Sequence, residues 1–428
     1  MPRNLNIYTG IDVGTESVKA VIANVLEDST LEILGFAEAP THKIIKGEIR
    51  NSNIVFEQCL QALSRACRMA DYETPPGHIV AVLSGSHLKT GIASHTINFP
   101  EVQQVTAENV EMLMHEAYNA VPEVTVDGLE TLNIATTNRC FHLDDKHYVI
   151  NPIGQSTKSF TEELRYLAGE SYTNEQFGTI ISKLLDNRPC ASVYAPIAIA
   201  SAVTNPQVTS DLQNYSDIKG MVIELGAGMI SLSMPTTYGY MVCEQIALGC
   251  DHIANDLDIG LDLQNIGTAR QLVRDMDKLR LSAIATHDGN SRTVAISQGG
   301  DRPERLIPAD AVETIIEARL DEIFDIIAKR LKVENALPYL GNSIMISGGG
   351  ALIPGITEIA QRKLKRPVHI AYAYNITDAT TIFKPDTRYN MVLGAIRSAE
   401  REKRIRDEKQ GKPLLEYIKD FFHSVFSE

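Results

Sequence analysis

Short runs of β-branched and apolar residues, broken by glycine turns, open the chain. Residues 6–25 (Asn-Ile-Tyr-Thr-Gly-Ile-Asp-Val-Gly-Thr-Glu-Ser-Val-Lys-Ala-Val-Ile-Ala-Asn-Val) read as strand, acidic residue, glycine turn and strand. A polar turn at Glu27–Thr30 then leads into a third strand, Leu31–Ala37. The plan recurs from Met221: Met-Val-Ile-Glu-Leu-Gly-Ala-Gly-Met-Ile-Ser-Leu-Ser-Met, a turn at Pro235–Thr237, and a strand Tyr240–Leu248. Each copy has acid, one residue, glycine: Asp12-Val-Gly14 and Glu224-Leu-Gly226. Two copies about half a chain apart predict two related lobes facing each other across a cleft.

A third pattern lies at 343–364, where Ser-Ile-Met-Ile-Ser-Gly-Gly-Gly-Ala-Leu-Ile-Pro-Gly-Ile-Thr-Glu-Ile-Ala-Gln-Arg-Lys-Leu predicts strand, triple-glycine turn and helix. Ile356, Ile359, Ala360 and Leu364 make that helix's apolar stripe, with Pro354 expected in its first turn. Between the two hairpin copies, strands are expected at Leu88–Asn98, Leu132–Leu143 and Lys146–Asn151, around a helix bearing Val110, Leu113, Met114 and Ala117.

The C-terminus changes character. Residues 400–412 are nearly all charged or polar and read as a solvated linker or frayed helix. From Pro413, the residues Leu414, Leu415, Ile418, Phe421, Phe422, Val425 and Phe426 fall at i, i+1, i+4, i+7, i+8, i+11 and i+12, one helical stripe. About 15 residues alone in water are marginal as a helix. The stripe therefore needs the protein's own core, a partner groove or a membrane interface, and the charged linker disfavours the first. Burying its side chains is worth roughly 10 kcal/mol gross. Arg401, Lys403, Arg404, Arg406 and Lys409 would favour anionic lipid.

Composition narrows the class. At 428 residues, 44% hydrophobic and 22% charged, the chain is ordinary for a globular protein with two sizeable cores. A formal charge of −14 argues against a nucleic-acid partner. No CxxC pair occurs among the six cysteines, which are read as reduced thiols of a cytosolic chain. His87, His95 and His142 are read as surface or packing residues rather than metal ligands. Met1-Pro-Arg-Asn runs straight into a strand without a signal-peptide core, and no window reaches the ~18 apolar residues of a transmembrane span.

The chemistry follows from the turns. A tight glycine turn aims successive N–H groups outward as an anion nest, so Gly14, Thr15, Glu16, Ser17, Gly226, Ala227, Gly228 and Met229 are candidate phosphate contacts. Lys19 and the hydroxyls of Thr15 and Ser17 supplement it. Asp12 cannot face phosphate without repulsion; its natural partner is Mg²⁺, reached through water, or an attacking water. Asp12 and Glu224 are accordingly the candidate catalytic carboxylates. The bare backbone of Gly348, Gly349 and Gly350, with Ala351 after it, would support an adenine or ribose, completing a nucleotide cleft.

These segments resemble the phosphate and adenosine motifs of the actin, sugar-kinase and heat-shock-chaperone superfamily, and within it the FtsA family of bacterial cell-division proteins. Gly10-Ile-Asp-Val-Gly-Thr-Glu-Ser-Val-Lys19, Ser84-Gly-Ser-His-Leu88, Asn151-Pro-Ile-Gly154, Gly249-Cys-Asp-His-Ile-Ala-Asn-Asp-Leu257 and Ser347-Gly-Gly-Gly-Ala-Leu-Ile-Pro-Gly355 carry the resemblance, in order, over residues 5–398. It adds Gly249 to the nucleotide contacts. It implies an α/β, actin-like (ribonuclease-H-like) two-lobed ATPase fold with an inserted subdomain and a C-terminal amphipathic helix. Residues 1–84 and 166–200 would form the first lobe, 85–165 the insert, 201–254 and 341–398 the second lobe core, 255–340 its subdomain, 399–412 the linker and 413–428 a membrane-targeting helix.

Function is implied likewise. The chain would be a self-associating adaptor, at most a weak ATPase, that ties the FtsZ ring to the inner face of the cytoplasmic membrane at the division site and recruits later division proteins. An acidic FtsZ C-terminal peptide would meet residues 255–340, where Arg270, Arg274, Arg292, Arg302 and Arg305 lie. Departures from the family pattern bear on the nucleotide: Glu224 replaces an aspartate, Met229 a threonine, and Ala269-Arg-Gln-Leu-Val273 lacks the family's acid and lysine beside the ribose and base. Weak binding and little hydrolysis are therefore expected. The alternatives are a PilM-like pilus-assembly ATPase and a kinase of the same superfamily.

Overall fold

The computed structural model describes residues 5–408 except 42, 145–146, 150, 205–219, 237–238, 286–291, 297–303 and 342; at 133–139, 147 and 405–408 it describes backbone only. The apolar stripe of 413–428 and Arg302 lie outside the described residues.

Apolar hairpins start the first lobe: β1 (Ile7–Val13), β2 (Ser17–Val25) and β3 (Leu31–Pro40). A two-strand ribbon, β4 (Ile44–Ile45) and β5 (Glu48–Ile49), follows, then α1 (Ser52–Met69) and β6 (His78–Leu83). Asn51 caps α1 by accepting the Ile54 N–H. The insert contains β7 (Leu88–Gln104), α2 (Ala107–Asn119), β8 (Glu130–Leu143), β9 (His147–Val149) and β10 (Ser156–Gly169). Its sheet runs β7-β10-β8-β9. Val110, Leu113 and Ala117 of α2 bury against it, and Met114 packs at the rim. The long strand β10 escaped the sequence reading because Ser156–Glu163 mixes polar and apolar residues without clean alternation. It carries the insert on to Gly169, beyond the expected end at 165.

The chain returns through α3 (Ser171–Leu184), β11 (Cys190–Tyr194) and α4 (Ala195–Val203). The second lobe is β12 (Met221–Leu225), β13 (Ile230–Pro235), β14 (Tyr240–Ile246), α5 (Cys250–Gly260), α6 (Ile266–Arg274), β15 (Thr293–Ile296), β16 (Arg305–Pro308) and α7 (Ala309–Val333). After it come β17 (Ile344–Ser347), α8 (Ile356–Leu364), β18 (Val368–Ile370), β19 (Ile376–Asp378) and α9 (Asn390–Glu408).

The two main sheets repeat one topology. The first is ordered β11-β6-β1-β2-β3-β19 and the second β14-β13-β12-β17-β18. In each, a hairpin strand (β1 or β12) pairs antiparallel with the next strand and parallel with a later one (β6 or β17). Residues of α5 to α8, including those from 255–340, share one buried cluster with the second sheet.

Three expectations are corrected. The 341–398 segment divides: β17 and β18 join the second sheet, whereas β19 pairs with β3 and α9 packs on the first lobe. Helix α9 does not stop near Ser398 but continues to Glu408, because residues 400–408 are good helix formers and Gly411 is the first breaker. Pro354 precedes α8 rather than opening it, with Gly355 in the left-handed region (φ 85°) at the cap.

Polar contacts join the insert to the second lobe. Arg165 on β10, nearly buried, donates to Glu334 Oε2 (2.7 Å) and to the Met241 carbonyl (3.2 Å). Glu244, also buried, is held by Arg330, which reaches Glu334 as well (3.4 Å).

Candidate functional site

A cleft of about 730 Å³ separates the lobes. Both glycine hairpins reach it, and each turn closes with the same hydrogen bond: Gly14 N–H to the Ser17 carbonyl (3.1 Å), and Gly226 N–H to the Met229 carbonyl (3.0 Å). Asp12 lies opposite Lys19 across β1 and β2, and Glu224 opposite Ser231 across β12 and β13. The two carboxylates thus hold equivalent places, with the first copy's lysine replaced by serine in the second. A Cβ on Gly228 would lie 2.5 Å from Thr15 Oγ1, so the turns almost touch.

Asp12, Gly14, Thr15, Glu16, Ser17, Lys19, Gly226, Ala227, Gly228, Met229, Gly348, Gly349 and Gly350 all line the cleft. Gly249 and Ala351 do not. Gly249 begins α5 with its Cα against the Ala227 carbonyl, where a Cβ would not fit, and Ala351 is fully buried. The triple glycine is also less bare than expected. Gly348 takes φ +83°, and a Cβ there would come within 2.6 Å of Glu224 Oε1 and the Leu225 carbonyl; Gly350 packs on Cys250 and Leu225. Of the three only Gly349 has room for a Cβ, which would touch Arg388 Cγ at 3.9 Å, and Thr387 Oγ1 holds the loop by donating to the Gly348 carbonyl (2.8 Å).

The floor is charged and tightly held. Lys19 Nζ donates to Ser17 Oγ (2.7 Å) and sits 3.8 Å from Glu38, with 11% of its side chain exposed. Ser17 Oγ in turn donates to Glu38 Oε1 (2.5 Å). On the other side, Ser231 Oγ donates to Glu224 Oε2 (3.2 Å). Gln245 Nε2 donates to Ser231 Oγ (3.2 Å) and Ser84 Oγ (2.8 Å), while its Oε1 accepts the Gly85 N–H (3.1 Å). One glutamine therefore ties the start of the insert to the second-lobe carboxylate. Sequence reading missed it, since a lone glutamine in a strand carries no signal.

Burial raises the Asp12 carboxyl above the usual carboxylate range; Lys19 opposes this and Glu38 adds to it. Glu224 is pushed up to about 8, first by burial and then by the charge of Asp12, with Ser231 and Lys19 pulling the other way. A half-buried and a buried carboxylate under the influence of one ammonium suit a hard divalent cation, and the outward N–H groups of the turns suit phosphate oxygens. Chemically, the residues fit a magnesium–nucleotide.

Helix α6 lines the cleft with side chains other than the family's acid and lysine. Arg270, Gln271 and Arg274 line the cleft, as do Lys278 and Arg388. Arg270 grips Asp251 through two hydrogen bonds (2.9 and 2.8 Å), and Arg274 crosses between the lobes to Glu16. The cleft wall is polar here, with Val273 standing where the family has its lysine. The described arginines expected to meet an acidic peptide line the cleft or have partners within the chain. Arg270 and Arg274 belong to the cleft, Arg292 pairs with Glu313 (2.6 Å), and Arg305 donates to the Asp262 carbonyl (2.8 Å).

No family model matches the chain. It is 21% identical over 404 residues to cell division protein FtsA of Escherichia coli (strain K12), covering 91% of this chain and 89% of that protein. With cell division protein FtsA of Bacillus subtilis (strain 168) it shares 22% over 418 residues, 96% and 88% of the two chains. Of solved structures, the PilM-PilN type IV pilus biogenesis complex superposes with a TM-score of 0.58 at 12% identity, covering 91% of this chain and 98% of that one. MreB5 of Spiroplasma citri bound to ADP superposes at 0.51 and 12%, covering 95% and 99%. The fold is actin-like, and the sequence is similar to FtsA.

Glu224 makes a pH prediction. Its folded pKa of about 8 exceeds the ordinary 4.5, so the native state holds a proton that the unfolded chain releases. The stability this contributes is full below the ordinary value and is lost as pH rises toward 8. The expected slope is at most about 1.4 kcal/mol per pH unit. Urea unfolding at pH 5.5, 6.5 and 7.5 should show it, and Glu224→Gln should flatten it. An unchanged slope in the variant would assign the effect to other groups.

Proposed function

We propose that the chain is an actin-like cell-division protein that binds ATP or ADP with Mg²⁺ between its lobes and self-associates. On this reading it links FtsZ polymer to the inner face of the cytoplasmic membrane and recruits later division proteins. Similarity to proteins named for cell division, running along 91–96% of the chain, carries the reading. The likeness to the PilM–PilN complex is one of fold, and it supports a pilus-assembly role as the second reading. Among the described residues, no helix is long and apolar enough to cross a membrane.

In this cleft Asp12 would hold the cation through water, while the N–H groups around Gly14 and Gly226–Met229 would take phosphate oxygens. The cation would neutralise phosphate charge. Lys19 would supply the neighbouring positive charge, and Gly349 would leave room for the nucleoside. Glu224, protonated up to about pH 8, is a poor base for activating water. The cleft is thus suited to hold nucleotide and hydrolyse it slowly. Residues 413–428 would supply the membrane helix, and residues 255–340 the FtsZ-peptide contact.

Liposome co-sedimentation with FtsZ tests the adaptor role. The full chain should pellet with anionic vesicles and carry FtsZ with it, whereas a chain truncated after Lys412 should stay in the supernatant. If both forms stay soluble, the membrane role fails. Vesicle binding without FtsZ would instead favour a different filament partner.

A further inference from the structure

Outside the cleft, one cluster joins three different metal-ligating side chains. Cys140 and His142 lie two apart on β8 and so share a face, and Glu163 on β10 lies opposite Cys140. The Cys140 thiol donates to Glu163 Oε2 (3.4 Å), and His142 Nε2 is 2.9 Å from Glu163 Oε1. All three ligand atoms lie within 4.8 Å of one another. Tetrahedral zinc with bonds of about 2.0–2.3 Å separates its ligands by roughly 3.3–3.8 Å, so small side-chain rotations would admit an ion.

We propose that Cys140, His142 and Glu163 form a binding site for a thiophilic divalent cation, zinc, with a fourth position open to solvent. The donor chemistry selects the class. A thiolate and an imidazole favour zinc over magnesium or calcium, which take oxygen ligands. Cys140 is 1% exposed, while the His142 and Glu163 side chains keep 17% and 19%, which leaves a solvent-facing side. All three ligands stand on paired strands, and the Tyr148 ring packs 4.0 Å from the imidazole. Binding would displace the thiol proton to solvent and replace the hydrogen bonds through Glu163 with bonds to the metal.

Position gives the site a consequence. Tyr148 accepts a hydrogen bond on its Oη from Asn335 Nδ2 (3.0 Å), and its carbonyl accepts one from Tyr339 Oη (3.3 Å). The cluster therefore sits where the insert meets the end of α7. A metal there would stiffen the joint between insert and second lobe, independently of nucleotide.

The test uses the reduced full chain, stripped with EDTA and titrated with zinc chloride alone by calorimetry, then with Co²⁺ by absorption. One equivalent of zinc should bind, and cobalt should give a thiolate-to-metal charge-transfer band. Cys140→Ser should abolish the band, and His142→Ala and Glu163→Gln should each weaken zinc at least tenfold. Cys190→Ser, at a thiol on another sheet, should change neither. No saturable zinc binding would overturn the proposal. So would a band that survives Cys140→Ser, which would place the thiolate elsewhere, with Cys250 in the cleft as the obvious donor. Circular dichroism of each variant separates loss of a ligand from loss of the fold.

Discussion

Gly394→Val should leave almost no folded protein. Gly394 lies inside α9 where that helix crosses α4, and a Cβ there would overlap the Ala198 carbonyl oxygen and press on the Ala202 backbone. The obstacle is main chain inside a helix, so no side chain can rotate away. Helix α4 is built to match, with Ala195, Ala198, Ala200 and Ala202 all buried. Both helices belong to the apolar cluster that also takes in Val222 of β12, so separating them opens the back of both lobes. Overpacking a tight core costs about 1–3 kcal/mol, and more when backbone must move. We expect about 3 kcal/mol or more from valine, read as loss of soluble yield and a lower denaturant midpoint. Gly394→Ala should be milder but still clearly destabilising. A valine variant with wild-type stability would show that α9 sits farther from α4 than described.

Lys19→Met should remove most nucleotide affinity while the protein stays folded. The charge of Lys19 acts on both floor carboxylates and lowers the pKa of each. Methionine keeps an unbranched stem of similar length on β2 but leaves Asp12, Glu38 and Glu224 without their ammonium. Truncating one member of a buried, hydrogen-bonded charge pair costs about 2 kcal/mol or more, roughly thirtyfold in affinity. Titration with a fluorescent ATP analogue in Mg²⁺ measures it, and the truncation after Lys412 provides a variant expected to bind normally. Equal affinity in wild type and Lys19→Met would mean that phosphate does not lie at the paired hairpins. A comparable stability loss at pH 7.5 would instead show that the lysine serves the fold.

Much of the site was legible in the chain because it depends on local backbone rules. A glycine turn between two apolar runs makes a hairpin wherever it falls, so Asp12-Val-Gly14 and Glu224-Leu-Gly226 could be placed without tertiary information. Their repetition then predicted two facing lobes, and 13 of the expected cleft residues line it. The strand and helix flanking Gly348–Gly350 followed equally from period and punctuation.

What the sequence could not decide were relations between distant segments. The resemblance set Ala269–Val273 beside the ribose, but nothing in that stretch says that Arg270 would grip Asp251 or that Arg274 would reach Glu16, because an arginine's partner is not written in its own helix. Gln245 gains its role only because β14 runs beside Ser84 and Gly85, some 160 positions away. Gly249 and Ala351 match a motif yet miss the cleft, since a motif records chain order and not which side of a turn is exposed. Likewise α9 returns to the first lobe although its segment follows second-lobe strands. The sequence by itself determined the elements, the twin hairpins and the chemistry of their turns, because these rest on interactions within about ten residues. Only the tertiary structure decided which charges share a dielectric, and thereby which carboxyl keeps its proton.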